Sequence, residues 1–332
     1  MHESQVHSKN LVSWAKDKDD VVVLSADLTG STEIALFRDT YPSRFFNLGM
    51  AEQNLLSWAG GMAREGFVPL LHTFAVFLTR RPYDQLAMSV CYPNLPVILV
   101  GFLPGIMTPG GVSHQAIEDI SLMRGLPNMT VLEVGDAADV ESVLDVAYAV
   151  KGPVYVRMLR GAIPRLFSES MEFNRVRVLS EGRDLTIISS GICTEEVLKA
   201  VPVLKDAGYS VTHLHATTLK PFDDPRVDQA LRETERMIVT VENHNVIGGL
   251  GAAVSERISE VGNVARHVRI GIPDTFGHGA TAPYLMAKFG LDAPGILGRI
   301  ADELGEQIDF HRASVTNAVV GVSLGHEQLE AL

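Results

Sequence analysis

Short apolar runs and longer helical segments alternate along the first half of the chain. Runs rich in Val, Ile and Leu predict buried strands at Val21–Ser25, Val68–Leu71, Val97–Gly101, Val131–Val134 and Val154–Arg157. The intervening segments predict helices, among them Arg81–Cys91, Ile117–Gly125 and Ala138–Val150. Strands that are apolar on both faces are typical of parallel sheets covered by helices on both sides. The alternation therefore predicts an α/β fold.

The alternation stops once and then begins again. Residues 167–183 are polar and charged and show no sustained period, whereas a new series of strands and one helix follows. Its members are predicted at Leu185–Ser190, Thr194–Ala207, Ser210–His215 and Met237–Val241. A chain of 332 residues also favours two domains. We predict two three-layer α/β domains with mainly parallel sheets, at residues 1–165 and 183–310, joined by a linker at 166–182 and followed by a tail at 311–332.

Composition narrows the classes of partner and compartment. With 46% hydrophobic and 20% charged residues, the chain has the composition of an ordinary globular protein. The formal net charge of −12 argues against a nucleic-acid partner. No run approaches the ~20 apolar residues of a membrane span, and the first residues lack the apolar segment of a secretory signal. Cys91 and Cys193 lie far apart and fit a reducing cytoplasm.

One carboxylate occupies an unusual position. Glu52 follows the apolar run Phe46–Ala51 and precedes Asn54–Ala63, whose small residues predict a tightly packed helix. A carboxylate at the start of such a helix, in an apolar setting, is expected to have a raised pKa because burial disfavours its charged form. From these residues alone, Glu52 is either a structural cap or a tuned acid.

Two further polar residues follow predicted strands. His114 lies on a Gly- and Pro-rich loop that begins at Phe102, and Arg160 lies just beyond Val154–Arg157. Ligands bind on such loops, outside the carboxyl ends of parallel strands. His114 is thus a candidate proton shuttle or hydroxyl ligand, and Arg160 is either a phosphate clamp or an ordinary surface arginine.

Other motifs favour structural interpretations. Phe74 and Phe77 have the spacing of core residues, although they could also form a wall for a flat ring. His213 and His215 share one side of a strand without a third ligand, so no metal site is predicted. The glycines at 248, 249 and 251 precede a helix and favour close packing over an anion site.

Taken together and in this order, these features resemble the pyrimidine-binding and C-terminal domains of transketolase-type thiamine diphosphate enzymes. The resemblance covers nearly the whole chain. It is carried by the stretches Ser25–Thr29, Gly49–Asn54, Thr73–Phe77, Ser113–Gln115, Leu126–Met129 and Glu242–Gly249.

The resemblance implies a role for each candidate residue. The glutamate matching Glu52 bonds N1′ of the aminopyrimidine, which leads to loss of the proton from C2 of the thiazolium ring. The cofactor carries the chemistry and the protein tunes it. On the cofactor side, the resemblance implies that Phe77 stacks on the pyrimidine with Phe74 beside it, that Asp27 lies near the thiazolium, and that Arg80 contacts the cofactor. On the substrate side, it implies that His114 bonds hydroxyls and that Ser31 and Arg160 bind a terminal phosphate. Arg81 and Phe102 are implied to contact the substrate as well.

One expected motif is missing, and its absence implies a partner. Members of this family bind the diphosphate through magnesium on a separate domain marked by Gly-Asp-Gly, and no Gly-Asp-Gly occurs in this chain. The resemblance therefore implies the small subunit of a split transketolase. A larger subunit would supply the diphosphate-binding domain and hold Mg²⁺ or another divalent ion, most simply in an α2β2 assembly with self-association of this chain.

Departures from the family pattern concern the substrate. Phe102 replaces a histidine, Gly110 replaces an aspartate that senses hydroxyl configuration, and Arg80 replaces a third aromatic residue. We expect a small carbonyl substrate that is branched, sulfonated or less polar than a pentose phosphate. The alternatives are a subunit resembling deoxyxylulose-phosphate synthase or the β subunit of a 2-oxoacid dehydrogenase, and a non-catalytic scaffold that kept the fold.

Overall fold

A computed structural model of the chain describes residues 2–262 and 265–320. The strands lie at His2–Glu3 (β1), Val21–Ser25 (β2), Phe45–Asn47 (β3), Val68–Phe74 (β4), Ile98–Phe102 (β5), Thr130–Glu133 (β6), Val154–Met158 (β7), Ile163–Pro164 (β8), Arg177–Ser180 (β9), Leu185–Ser189 (β10), Val211–His215 (β11), Thr218–Lys220 (β12), Met237–Asn245 (β13) and Arg266–Ile272 (β14).

The helices alternate with these strands, as the apolar pattern predicts. They lie at Val6–Trp14 (α1), Ala35–Thr40 (α2), Glu52–Arg64 (α3), Ala75–Thr79 (α4), Tyr83–Gln85 (α5), Asp119–Gly125 (α6), Ala137–Ala149 (α7), Cys193–Asp206 (α8), Pro225–Glu233 (α9), Leu250–Val261 (α10), Ala282–Lys288 (α11), Ala293–Leu304 (α12) and Arg312–Thr316 (α13). A short 3-10 turn spans Pro42–Arg44, and a π-helix, Leu86–Cys91, directly continues α5.

The first sheet has the strand order β12–β6–β7–β5–β4–β2–β3, and all neighbours are parallel except the β12–β6 pair. The side chains of β2, β5, β6 and β7 are buried throughout. In register, Phe74 at the end of β4 lies beside Phe102 of β5, which lies beside Met158 of β7. The carboxyl ends of these strands therefore share one edge, where ligands of open α/β sheets bind.

The second sheet has the order β14–β13–β10–β11–β9, with β9 antiparallel to its neighbour. Strand β9 lies within residues 166–182, so part of the segment predicted as a linker belongs to the second sheet. The apolar residues of this segment are scattered and give no period, yet Leu166, Phe167, Met171 and Val176 are all buried. Pairing with the free edge of β11 makes a strand of a segment whose own sequence is polar.

Several helix ends follow from local sequence. Asp136 precedes α7 and accepts a hydrogen bond from the Asp139 amide at 2.9 Å, which satisfies one of the unpaired donors of the first turn. Asp292 does the same for α12 at 3.0 Å, and that helix ends at Gly305 with a φ of 67°. These caps fix where the helices begin and end relative to the strands.

The two sheets are joined through polar contacts rather than through a loose tether. Asn243 of β13 accepts a bond from the Ile106 amide and donates to the Pro104 carbonyl, each at 3.1 Å, which ties the loop after β5 to the second sheet. Strand β12 follows β11 in sequence but pairs with β6 of the first sheet. The predicted α/β architecture with mainly parallel sheets is confirmed.

The C-terminal tail is described only in part. It begins with α13, and residues 321–332 lie outside the described part of the chain. None of the helices within residues 2–262 and 265–320 combines the length and the apolar character that a bilayer crossing needs.

Candidate active site

Glu52 is the first residue of α3 and is buried, with 4% of its surface exposed. Its Oε1 accepts a hydrogen bond from Nη1 of Arg81 at 2.6 Å. The side chain of Arg81 is about half exposed, at 49%. The setting of Glu52 is therefore not purely apolar, because an arginine from a distant turn of the chain reaches it. Residues 50–54 and Arg81 line an open cavity of about 410 Å³ at this position.

An aromatic cluster adjoins the Glu52–Arg81 pair. The rings of Phe74 and Phe77 stack with centroids 5.8 Å apart, and the His114 ring meets that of Phe77 edge-on at 5.4 Å. The guanidinium carbon of Arg81 lies 4.0 Å from the centroid of Phe77. Three predicted site residues, Phe74, Phe77 and His114, are thus brought together with Glu52 through Arg81.

Arg80 serves the protein itself rather than an open surface. Its guanidinium pairs with the carboxylate of Glu118 and donates to the carbonyls of Val112, at 3.3 Å, and Gln115, at 3.0 Å. These contacts hold the loop that carries His114. The Arg80 side chain remains 30% exposed, and the prediction that it contacts a cofactor stays a prediction.

Asp27 lies at the carboxyl end of β2 with a φ of 61°. Asn47, the last residue of the adjacent strand β3, accepts from the Asp27 amide at 3.1 Å and donates to its carboxylate at 3.0 Å. The Asn47 side chain also accepts from the Gly49 amide at 3.1 Å. Asn47 therefore couples Asp27 to the turn that leads into Glu52, a role that its sequence position in an apolar run did not indicate.

Ser31 and Arg160, predicted to share a role in binding a terminal phosphate, lie in contact with each other. A guanidinium N–H of Arg160 donates to the Ser31 carbonyl. Next to them, the Gly161 amide donates to the carboxylate of Glu33 at 2.9 Å. Arg160 is exposed, so most of its donors face solvent.

Phe102 requires a correction. It is the last residue of β5 and is fully buried, with 0% of its surface exposed. Its ring packs against His7, at 5.4 Å, and His72, at 6.2 Å. Burial lowers the pKa of His7 to about 3 and that of His72 well below its usual value, so both rings are neutral. Phe102 belongs to a hydrophobic core cluster and offers no surface to a substrate.

A buried ionic network lies beneath the loop and was missed from sequence. Arg157 of β7 is fully buried and pairs with both Asp119, at 2.8 Å, and Glu133. It also donates to the Asn243 carbonyl at 3.0 Å, and the Tyr155 hydroxyl donates to Asp119 at 2.6 Å. Burial and the neighbouring carboxylate raise the pKa of Tyr155, which therefore remains a donor. The sequence did offer a signal for this network, because Arg157 and Glu133 are charged residues within the apolar strands β7 and β6.

The carboxylate of Glu242, a residue of β13, lies at the start of α10, the helix that follows the Gly-rich turn. Its carboxylate accepts from the amides of Leu250, at 2.7 Å, and Gly251, at 2.9 Å, so a residue of the chain already satisfies these donors. A Cβ at Gly249 would collide with that carboxylate, which explains the glycine. Burial raises the pKa of Glu242 to about 7. The prediction of close packing rather than an external anion agrees with this geometry.

The two histidines of β11 are structural. His213 bonds to Ser189 at 2.8 Å, and His215 bonds to Thr194 at 2.7 Å and to Asp139 at 3.0 Å. Within residues 2–262 and 265–320, no group of three or more His, Cys, Asp or Glu side chains is arranged to hold a metal ion.

Known families match this chain over most of its length. The family described as "Transketolase, pyrimidine binding domain" matches residues 3–165, and "Transketolase, C-terminal domain" matches residues 174–296. The chain belongs to the transketolase family. These matches also fit the placement of Glu52, Phe77 and His114 at the carboxyl edge of the first sheet.

Relatives of the same length and longer relatives both occur in the transketolase family. The chain is 40% identical to "Putative uncharacterized transketolase family protein y4mN" of Sinorhizobium fredii, covering 89% of this chain and 87% of that protein. It is 39% identical to "6-deoxy-6-sulfo-D-fructose transketolase subunit SqwH" of Clostridium sp., covering 90% and 93%. It is 35% identical to "1-deoxy-D-xylulose-5-phosphate synthase 1" of Geobacter sulfurreducens over 88% of this chain, which is 46% of that protein.

A solved structure matches the transketolase fold over nearly all of both chains. The structure described as "Split gene transketolase, inactive beta4 tetramer" is 39% identical in sequence and matches with a TM-score of 0.82. The match covers 91% of this chain and 97% of that chain. The chain thus shares its fold and nearly its whole length with that split transketolase chain.

Proposed function

We propose that this chain is the small subunit of a two-component transketolase that moves a two-carbon ketol unit from a ketose to an aldehyde. The observation that carries the proposal is the convergence of the Glu52 carboxylate with the rings of Phe77, Phe74 and His114 beside an open cavity. A carboxylate joined through one arginine to a cluster of aromatic rings suits an aminopyrimidine, which has a ring nitrogen for the acid and a flat face for the rings.

Thiamine diphosphate is the cofactor that fits these residues. When bound, it supplies a nucleophilic carbon and an electron sink for cleaving the bond beside a ketone. Glu52 would hold a proton against the pyrimidine nitrogen, while Phe77 stacks on the ring and Phe74 supports Phe77. Asp27 would lie near the thiazolium, held by Asn47, and His114 would bond substrate hydroxyls from its place beside Phe77.

We propose that a larger subunit provides the diphosphate-binding domain and its Mg²⁺ or other divalent ion, in an α2β2 assembly within the cytoplasm. The exposed apolar side chains along α3 and along the π-helix that packs on it support a protein partner. Met50 is 77% exposed, Tyr92 is 80% exposed, and Trp58 and Met88 add to this surface from α3 and the π-helix that packs on it. Exposed apolar clusters of this kind mark protein interfaces, and self-association through the same region is the second expected contact.

The substrate is proposed to be a small sugar with an acidic group at the end remote from the carbonyl. Arg160 and Ser31 lie together at the sheet edge, where a guanidinium can bind a phosphate or a sulfonate. A relative described as a transketolase subunit for 6-deoxy-6-sulfo-D-fructose supports a sulfonated donor. The decisive comparison is turnover by the reconstituted pair of 6-deoxy-6-sulfofructose against xylulose 5-phosphate with ribose 5-phosphate. Preferential use of the pentose phosphates would contradict the sulfonate proposal.

A second function is favoured by one observation, the 35% identity to a deoxyxylulose-phosphate synthase. Such a subunit would use a 2-oxoacid donor in place of a ketose. Supplying pyruvate with an aldehyde phosphate to the reconstituted pair separates the two functions, because carbon dioxide is released only from the 2-oxoacid. Release of carbon dioxide at the faster rate would replace the transketolase proposal.

The role of Glu52 is tested with an isosteric change. Glu52→Gln is expected to remove nearly all turnover of the reconstituted complex, because an amide cannot carry the acid proton, while assembly with the partner persists. The matched control is Glu65→Gln, which changes an exposed glutamate just beyond the end of the same helix. Near-normal turnover by Glu52→Gln in an assembled complex would rule out the function proposed for this residue.

A further inference from the structure

Arg81 occupies both surfaces that the proposed function assigns to the aminopyrimidine. Its Nη1 donates to Glu52 at 2.6 Å, and its planar guanidinium lies over Phe77 with the central carbon 4.0 Å from the ring centroid. A flat group bonded to Glu52 and stacked on that face of Phe77 cannot share this space with the guanidinium. Arg81 also lines the cavity that residues 50–54 form beside it.

Arg81 competes with the ring for a hydrogen-bonding partner as well as for space. Its guanidinium already donates to the Glu52 carboxylate, which the proposed function assigns to a ring nitrogen. The preceding residue behaves differently, since Arg80 is held by Glu118 and by the loop carbonyls of Val112 and Gln115. Arg81 has Glu52 as its ion-pair partner and keeps about half of its side chain in solvent. It can therefore turn outward without desolvation.

We propose that Arg81 is a gating residue that covers Glu52 and Phe77 and competes with the aminopyrimidine for both. This inference rests on the proposed function and replaces the simpler expectation that Arg81 contacts the substrate. The gate keeps the Glu52 carboxylate and the Phe77 ring covered, and an incoming pyrimidine displaces the guanidinium from both.

The proposal predicts that the chain binds an aminopyrimidine more tightly when the charged group of Arg81 is removed. Arg81→Met keeps the aliphatic stem and removes the guanidinium. Loss of one half-exposed ion pair and one cation–π contact is expected to tighten binding of the competing ring by about 3- to 30-fold. The control is Arg38→Met, which removes an equally exposed arginine paired with Asp39 at 2.7 Å on the surface.

The probe is an uncharged aminopyrimidine alcohol that corresponds to the pyrimidine half of thiamine, titrated by calorimetry into the full chain with and without its partner. Because this probe carries no charge, its affinity reports the gate without attraction or repulsion by the diphosphate. Raising the salt concentration weakens an exposed ion pair, so the wild-type chain should bind the probe more tightly at high salt. Arg81→Met should show no such dependence, and Arg38→Met should follow the wild type.

The outcomes separate the gate from the function on which it rests. Tighter binding by Arg81→Met together with loss of the salt effect supports the gate. Unchanged or weaker binding by Arg81→Met, with clear binding by the wild type, overturns the gate and leaves the thiamine site intact. If neither protein binds the probe at any salt concentration, both the gate and the proposed thiamine site are wrong. A raised KM for the sugar with unchanged probe affinity returns Arg81 to the substrate.

Discussion

The Arg157→Met substitution removes a guanidinium that is fully buried between the two sheets. Arg157 donates twice to Asp119, at 2.8 and 3.1 Å, once to the Asn243 carbonyl at 3.0 Å, and once to Glu133. A methionine of similar length fills most of the space but leaves two carboxylates buried without a cation. Breaking a buried pair in this way costs about 3–5 kcal/mol.

Urea unfolding, followed by tryptophan fluorescence and circular dichroism, measures this cost. A domain has about 5–15 kcal/mol of stability in total, so Arg157→Met should move the midpoint of the first transition to a much lower urea concentration. Arg38→Met, at an exposed pair, should change stability by about 0–1 kcal/mol. Adding Glu133→Gln to Arg157→Met should recover part of the loss, because it removes one of the uncompensated charges.

A loss of less than about 1 kcal/mol in Arg157→Met would refute the reasoning. Such a result would mean that the neighbouring carboxylates take up protons or reach water at little cost. The double variant tests the cause of a large loss, since Glu133→Gln restores stability only if the carboxylate of Glu133 stays charged and buried when Arg157 is absent.

Three other predictions concern the site and its support. Burial raises the pKa of Glu242 to about 7, so the folded state holds this proton more tightly than the unfolded state does. The free energy of unfolding should therefore fall as pH rises from about 4.5 to 7. Glu242→Gln should lessen that fall when unfolding is measured across this pH range, and an unchanged dependence on pH would contradict the prediction. Arg160→Met should raise the KM for an acidic sugar by about tenfold with little change in kcat, whereas a change confined to kcat would argue against substrate binding. Asn47→Ala should weaken the affinity for the cofactor, because Asp27 loses the side chain that holds it. An unchanged dissociation constant in calorimetry would contradict this coupling.

The sequence by itself determined most of the architecture. Runs of Val, Ile and Leu identified β2, β4, β5, β6 and β7 to within a few residues, because buried parallel strands are apolar on both faces. The family motifs identified Glu52, Phe74, Phe77 and His114, which meet at one sheet edge since loops after parallel strands share that edge.

Only the tertiary structure decided where each polar side chain finds its partner. Strand β9 was hidden in a polar segment because pairing with β11, not its own pattern, makes it a strand. Phe102 was assigned to a substrate, yet His7 and His72 bury it from elements distant in sequence. The ion pair between Glu52 and Arg81 spans 29 positions, and no local pattern encodes it. Contacts of this kind depend on how strands are ordered and on which side chains reach across a cleft, and both are set by packing of the whole chain.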